Sequence, residues 1–237
     1  MNFNQFQAHG FEILPTLYQP AEVARIRQRV ADALSDGLDP ELTREIFIVH
    51  GILDAAPGLW ALLNTQSLRI LLAQLYPEGC QVVKAMYFDK PSLLNWRVAW
   101  HQDLLINVNR RTALPGFGPW TRKPEGLSVQ PPVAVLENIC VLRLHLDDCD
   151  ADNGALKVAP GSHRHGVVPA VAMAALVTEP TVCAVPAGNV MLTKPLLLHA
   201  SSPHTSDRPR RVLHLEFSSV KLPHGLDWRE HWPVEGT

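Results

Sequence analysis

Near residue 81 the spacing of apolar residues changes, and that change limits what this chain can fold into. Before it, apolar side chains recur every three or four positions. Pro20 stands where a first helical turn accepts it, and Val23, Ile26, Val30 and Leu34 follow on one face. Gly37 supplies a stop. Asp39-Pro40 opens a second helix, with Leu42, Ile46 and Val49 on one side. Thr65 caps a third, which carries Leu68, Leu71, Leu72 and Leu75 and stops at Pro77. Residues 1–80 therefore read as helical, and core packing accounts for their apolar stripes. Beyond residue 81, short apolar and β-branched runs at 81–88, 104–109, 133–136, 138–146, 155–159, 181–185, 190–193, 196–199 and 212–219 read as strands between turns. Twenty prolines suit that arrangement better than a helical bundle. The expectation is one domain over residues 1–237, mainly β with flanking helices. Its core over 81–219 is a β-sandwich or jelly roll, with the N-terminal helices packed on one sheet.

Several function classes drop out. A net charge of −2 gives no electrostatic case for nucleic acid or an anionic membrane. Cys80, Cys140, Cys149 and Cys183 are scattered with no CxxC pair, against both structural zinc and a disulfide framework. No charged-then-apolar leader starts the chain, and no apolar run is long enough to span a bilayer. A cytoplasmic protein with reduced thiols, acting on a small molecule, is expected. No pattern in the sequence sets an oligomeric state. Segment 110–127 is long and rich in Pro and Gly, as lids and binding loops are. Its Arg110, Arg111, Arg122 and Lys123 could favour an anionic substrate, but a solvated basic loop is the simpler explanation.

The chemistry-bearing stretch is Trp100-His101-Gln102-Asp103. In a strand His101 and Asp103 point the same way, and His199 from a distant strand would complete one face of a metal site. Two His and one carboxylate with open positions opposite is the ligand set of non-haem iron oxygenases. A lone His-x-Asp says little, because a chain with 11 His is expected to hold roughly one by chance. A second match, His145-Leu146-Asp147, is present, and spacing does not choose between them. Trp100 and Gln102 supply cavity-like neighbours at His101, and 104–109 continue as a strand, whereas His145 sits in an apolar run as a core-adjacent, hydrogen-bonded His would. After His199 comes Ala200-Ser201, then Arg210 eleven residues on, opening the next apolar strand. A returning antiparallel strand would carry Arg210 back beside His199, where its planar fork matches a carboxylate. Ser201 would face the same cavity.

The order Trp100-His101-Gln102-Asp103, Asn153-Gly154-Ala155-Leu156, Pro160-Gly161-Ser162-His163, then His199-Ala200-Ser201 with Arg210, resembles the phytanoyl-CoA dioxygenase (PhyH-like) family over roughly residues 81–219. The resemblance implies a double-stranded β-helix of cupin-like type, Fe(II), 2-oxoglutarate as cosubstrate and O₂. It makes His101, Asp103 and His199 the iron ligands. It also places the distal carboxylate of 2-oxoglutarate on Arg210 and Ser201, and leaves His145 in an inner strand. Asp103 favours hydroxylation, since halogenating relatives lack this carboxylate. There are departures. Asn189 stands where many relatives have Asp, and His204 where many have Asn; both bear on substrate rather than iron. Arg143 occupies a strand position where some relatives carry Trp. A charge in such an apolar run needs a partner, so Arg143 is predicted to face the cavity and meet a carboxylate of 2-oxoglutarate or substrate. Lys84, in the first strand, is a second candidate of that kind. Two other readings keep parts of this picture: a cupin-like metalloenzyme without redox chemistry, and a non-catalytic jelly-roll module that binds small molecules.

Overall fold

Side-chain alternation along three long strands separates core from cavity. The computed structural model describes residues 3–37, 48–89, 97–123, 126–203, 205–223 and 225–234. Its strands in chain order are β1 (Phe11–Leu14), β2 (Ile48–His50), β3 (Gln81–Asp89), β4 (Val98–His101), β5 (Ile106–Val108), β6 (Trp120–Lys123) and β7 (Gly126–Val129). They continue as β8 (Cys140–His145), β9 (Leu156–Val158), β10 (Thr181–Val182), β11 (Val190–Thr193), β12 (His199–Ser201), β13 (Arg211–Ser218) and β14 (Trp232–Pro233). The largest sheet runs β1-β11-β8-β13-β3-β14, with β2 also paired to β3. A second runs β10-β9-β12-β4, and a small third runs β5-β7-β6. Neighbouring strands are antiparallel throughout. The two larger sheets face each other as an open jelly-roll sandwich, not a closed barrel; Met191 of β11 and Val158 of β9 meet between them.

On β3, β8 and β13 one face carries Val82, Ala85, Tyr87, Leu142, Leu144, Leu213, Leu215 and Phe217. These pack against the N-terminal helices, as expected. Helix Pro20–Gly37 contributes buried Val23, Ile26 and Val30. The Thr65 hydroxyl accepts the Leu68 N–H at 3.2 Å and caps Gln66–Leu75, whose Leu68, Leu71 and Leu72 are fully buried. Each such leucine stabilises the fold by about 1.5–3 kcal/mol relative to exposure. The opposite face of the same strands turns polar groups inward, and they shape the site described below.

Other expectations change. Residues 1–80 are not all helical: β1 and β2 edge the large sheet, because their extended runs find partners in β11 and β3. The predicted helix from Asp39-Pro40, with Leu42 and Ile46, lies outside the described residues, and its Val49 is in β2. Residues Val133–Asn138 form a helix rather than a strand. Pro131-Pro132 set its start, and only Leu136 is buried, so β-branched composition misled the assignment. Part of segment 110–127 is a paired hairpin, β6 with β7, rather than a free loop. The apolar run 196–199 is a turn leading into β12, and Ala170–Leu176 is a helix that periodicity did not reveal. No helix among the described residues is long and apolar enough to cross a membrane, and all four cysteines are free thiols.

Glu230 precedes β14 and is 3% exposed, with the Ala85 N–H donating to its carboxyl at 3.1 Å. Burial, then nearby Asp54, push that carboxyl up from an ordinary 4.5 to about 7. A raised carboxyl favours the protonated folded state, so its contribution is complete below pH 4.5 and is lost as pH rises to 7. Glu230→Gln keeps the acceptor without the charge. It is expected to stabilise the protein by about 2–3 kcal/mol at pH 8 and hardly at all at pH 4.5. Urea unfolding at the two pH values checks this; equal shifts would reject it.

Candidate active site

His101 ends β4 and His199 begins β12, directly opposite each other in the ladder, with ring centroids 4.2 Å apart. Each imidazole is oriented by a carbonyl two residues earlier. His101 Nδ1 lies 2.8 Å from the Ala99 oxygen and His199 Nδ1 2.9 Å from that of Leu197. With Nδ1–H donating, both Nε2 lone pairs are left for a metal. Asp103 is not on the same strand as His101, contrary to the expected His-x-Asp strand. The chain leaves β4 at His101, Asp103 N–H donates to the Pro195 carbonyl at 2.9 Å, and the residues after it join the third sheet as β5. Its carboxylate nevertheless stands 3.7 Å from His199 Nε2 and 3.9 Å from His101 Nε2. Among the described residues these three make the one His/Cys/Asp/Glu cluster close enough to share an ion, with donor atoms within 4.8 Å of one another. Burial holds the His199 imidazole down to about 4, with Asp103 pulling the other way, so it is neutral at pH 7. Burial alone would raise the Asp103 carboxyl, but His199, with His214, Lys84 and His101, more than offsets it and keeps it ionised.

A cavity of about 400 Å³ opens beside the three donors, with Arg143, Ser201, Arg210 and His214 in its wall. Arg210 is 5% exposed and precedes β13, which lies in the large sheet rather than beside β12. It therefore reaches the cavity from across the sandwich, not along a neighbouring strand as expected. Ser201 follows His199 by two residues on β12 and shares its face. Arg143 projects from β8, donates from Nη1 to His214 Nδ1 at 2.9 Å and lies 5.4 Å over the Phe88 ring. Burial, then Arg210, lower its guanidinium to about 10, still fully charged at neutral pH. The Nε–H groups of both arginines are buried without a partner. Two buried guanidiniums with spare donors make a site for an anion.

Lys84 does not share that cavity, contrary to expectation. Its Nζ donates to Glu216 Oε1 at 2.7 Å and to the Leu105 carbonyl at 2.8 Å, and it lines an adjoining compartment. Arginine only donates, so His214 Nδ1 accepts and its Nε2–H donates to Glu216 at 3.3 Å. A line Lys84–Glu216–His214–Arg143 thus crosses the inner faces of β3, β13 and β8 and orients the Arg143 guanidinium.

The competing pair is dispersed. His145 is buried with neither ring nitrogen bonded, contrary to the hydrogen-bonded ring expected, and burial holds it neutral. The Asp147 carboxylate is taken up by Arg211 at 2.8 and 2.7 Å and by Arg27 at 3.1 Å. Asn189 has a turn role, its Oδ1 accepting the Thr16 N–H at 2.8 Å, and His204 lies outside the described residues.

One contributor escaped the sequence. Gln102 has its amide committed to backbone rather than open to a ligand. Its Nε2 donates to Leu196 O at 2.6 Å and Gly166 O at 2.8 Å, and its Oε1 accepts the Val168 N–H at 2.8 Å. These bonds tie the Asp103 loop to the turn before His199; no local signal marks a glutamine for this. Gln102→Leu is expected to lower metal affinity about 10–100-fold, as loss of ligand-orienting groups does. Competition with a chromophoric chelator measures it, and wild-type affinity would sink the assignment.

A profile of the phytanoyl-CoA dioxygenase (PhyH) family matches residues 6–212. No curated protein sequence matches the chain significantly. EctD from S. alaskensis, solved with 2-oxoglutarate and 5-hydroxyectoine, superposes with a TM-score of 0.70 at 20% identity, covering 91% of this chain and 74% of EctD. The same enzyme has been solved with bound Fe. ThoJ, a non-haem monooxygenase solved with Ni, gives 0.70 at 20% identity over 98% and 83% of the two chains. AviO1 from Streptomyces viridochromogenes Tue57 gives 0.65 at 22% identity over 94% and 95%. At these identities the likeness is one of fold.

Proposed function

The chain belongs to the phytanoyl-CoA dioxygenase (PhyH) family, and from that premise we propose that it is an Fe(II)- and 2-oxoglutarate-dependent dioxygenase that hydroxylates a small molecule. One observation carries the reading: His101, Asp103 and His199 converge at the wall of a cavity that also holds Arg210. The donors fit the metal, being two imidazole nitrogens, that of His199 neutral at pH 7, and one ionised carboxylate beside an open space. The wall fits the cosubstrate, because a dicarboxylate supplies the acceptors that two buried guanidiniums lack.

Bound iron would supply activation of O₂ and the oxidative decarboxylation of 2-oxoglutarate that drives hydroxylation. The chain's own residues do the rest. Arg210 holds the distal carboxylate through two parallel N–H bonds, and the Ser201 hydroxyl donates a third. Arg143, steadied by His214, adds charge from the cavity floor. Asp103 would supply the third ligand, and the cavity beside the three donors gives room for the cosubstrate. Ile48, Met86, Phe88, Val98 and Leu156 line the same space and exclude water.

Anaerobic addition of Fe(II) and 2-oxoglutarate is expected to give a weak visible charge-transfer band, and admission of O₂ to release succinate. Metal binding without the band would mean a non-redox metalloenzyme. Protein that takes up no metal would mean a binding module.

A further inference from the structure

The cavity beside the metal ligands has a neighbour across Asp103. This second compartment, about 220 Å³, shares His50, Met86 and Asp103 with the first as walls. Arg143, Ser201 and Arg210 line the first and not the second; Lys84, Asn107 and Ser128 line the second and not the first. A dicarboxylate stretched from the metal toward Arg210 and Ser201 therefore leaves the second compartment open, with a metal ligand in its wall.

The two spaces differ in charge. The arginine side has buried N–H donors with no partner. On the other side the Lys84 ammonium is already matched by Glu216 at 2.7 Å. Two of its three protons go to Glu216 and the Leu105 carbonyl, and one remains. Asn107 Oδ1 accepts the Ser128 hydroxyl at 2.9 Å, which leaves the Asn107 Nδ2 as a donor. The compartment thus offers hydrogen-bond donors without net positive charge. Met86, Leu104 and Leu105 supply apolar wall.

Resting on the dioxygenase reading, we propose that this compartment is the substrate site and that it takes a compact, uncharged molecule by an accepting oxygen, a carbonyl or hydroxyl held by Lys84 and Asn107. A carboxylate is disfavoured there because Glu216 already neutralises Lys84 and the ionised Asp103 stands in the wall, so a further anion would be repelled. The arginine side receives the dianion and the lysine side the neutral substrate. The volume lies below the roughly 300 Å³ at which pockets for drug-sized ligands begin, so the bound part is small.

The test uses cyclohexanecarboxamide and cyclohexanecarboxylate, which match in shape and differ in charge. With protein, Fe(II) and 2-oxoglutarate under argon, the carboxamide is expected to bind and to shift the charge-transfer band, and the carboxylate to bind at least about tenfold more weakly. Lys84→Met and Asn107→Ala are each expected to weaken the carboxamide about tenfold by calorimetry, and Asn107→Ala, which leaves the line to Arg143 intact, to keep 2-oxoglutarate affinity within about twofold. Asn107 is only partly buried, so that variant reports even if Lys84→Met, which strands Glu216, does not fold. Equal or tighter binding of the carboxylate, binding of neither probe, or, in Asn107→Ala, a loss of 2-oxoglutarate affinity matching the loss of carboxamide would each overturn the proposal. Failure of wild-type protein to bind 2-oxoglutarate would instead overturn the dioxygenase reading. Saturation-transfer NMR of the two probes on metal-free protein then decides the compartment's preference by itself.

Discussion

Replacing His199 with alanine is expected to abolish 2-oxoglutarate-dependent succinate release, by about a thousandfold or more. Loss of that Nε2 leaves His101 and Asp103 as a two-donor site, and two donors do not hold a divalent ion against water and buffer. A thousandfold corresponds to about 4 kcal/mol of lost transition-state stabilisation, modest for removing the group that performs the hard chemistry. The control is His145→Ala. The His145 ring bonds to nothing and does not line the cavity, so its truncation should spare iron content and cost only packing, about 1–3 kcal/mol of stability. Elemental analysis of both variants with a succinate assay checks the pair. Iron retained by His199→Ala and lost by His145→Ala would place the metal at the other His-x-Asp.

Arg210→Met is expected to weaken 2-oxoglutarate binding by about a hundredfold to a thousandfold while leaving metal affinity unchanged. Truncating one partner of a buried charge pair costs about 2–5 kcal/mol. The effect on the free protein should have the opposite sign. Arg210 is 5% exposed, its Nε has no partner, and only Cys149 and Asp89 offset the burial of its charge, so an incompletely paired charge is replaced by an apolar chain of similar length. Unfolding of the free variant should therefore need as much urea as wild type, or more. Calorimetric titration with 2-oxoglutarate, beside a metal titration, separates these effects. Unchanged cosubstrate affinity would remove Arg210 from the site, and lowered stability of the free protein would show that its guanidinium has a structural partner.

Much of the scaffold was legible because it is written in local periods. Val23, Ile26 and Val30 repeat at helical spacing and are buried in one helix, and Thr65 caps the helix it was expected to cap. The strands at 81–89 and 211–218 follow from runs of apolar and β-branched residues. The errors came where two structures share one local pattern. Val133 to Leu136 suits a strand by composition but follows two prolines into a helix, and the leucines at 196–198 form a turn because the chain must reverse before β12. Gln102 shows the limit of local reading most sharply, since its three partners lie at 166, 168 and 196 and nothing near it in sequence names them.

By itself the sequence determined which side chains were available: two separated His, a carboxylate two residues from one of them, and an arginine eleven residues past the other. It also placed the two histidines on strands. Only the tertiary structure decided how they meet. Pairing of β4 with β12 sets His101 against His199, and a loop, not a strand, delivers Asp103. Arg210 arrives from the opposite sheet, while Glu216 claims Lys84 and turns it away from the arginines. Alternation specifies which face of a strand a residue occupies, but which strand faces which depends on contacts a hundred residues apart, whose free energy belongs to the packed whole rather than to any segment of it.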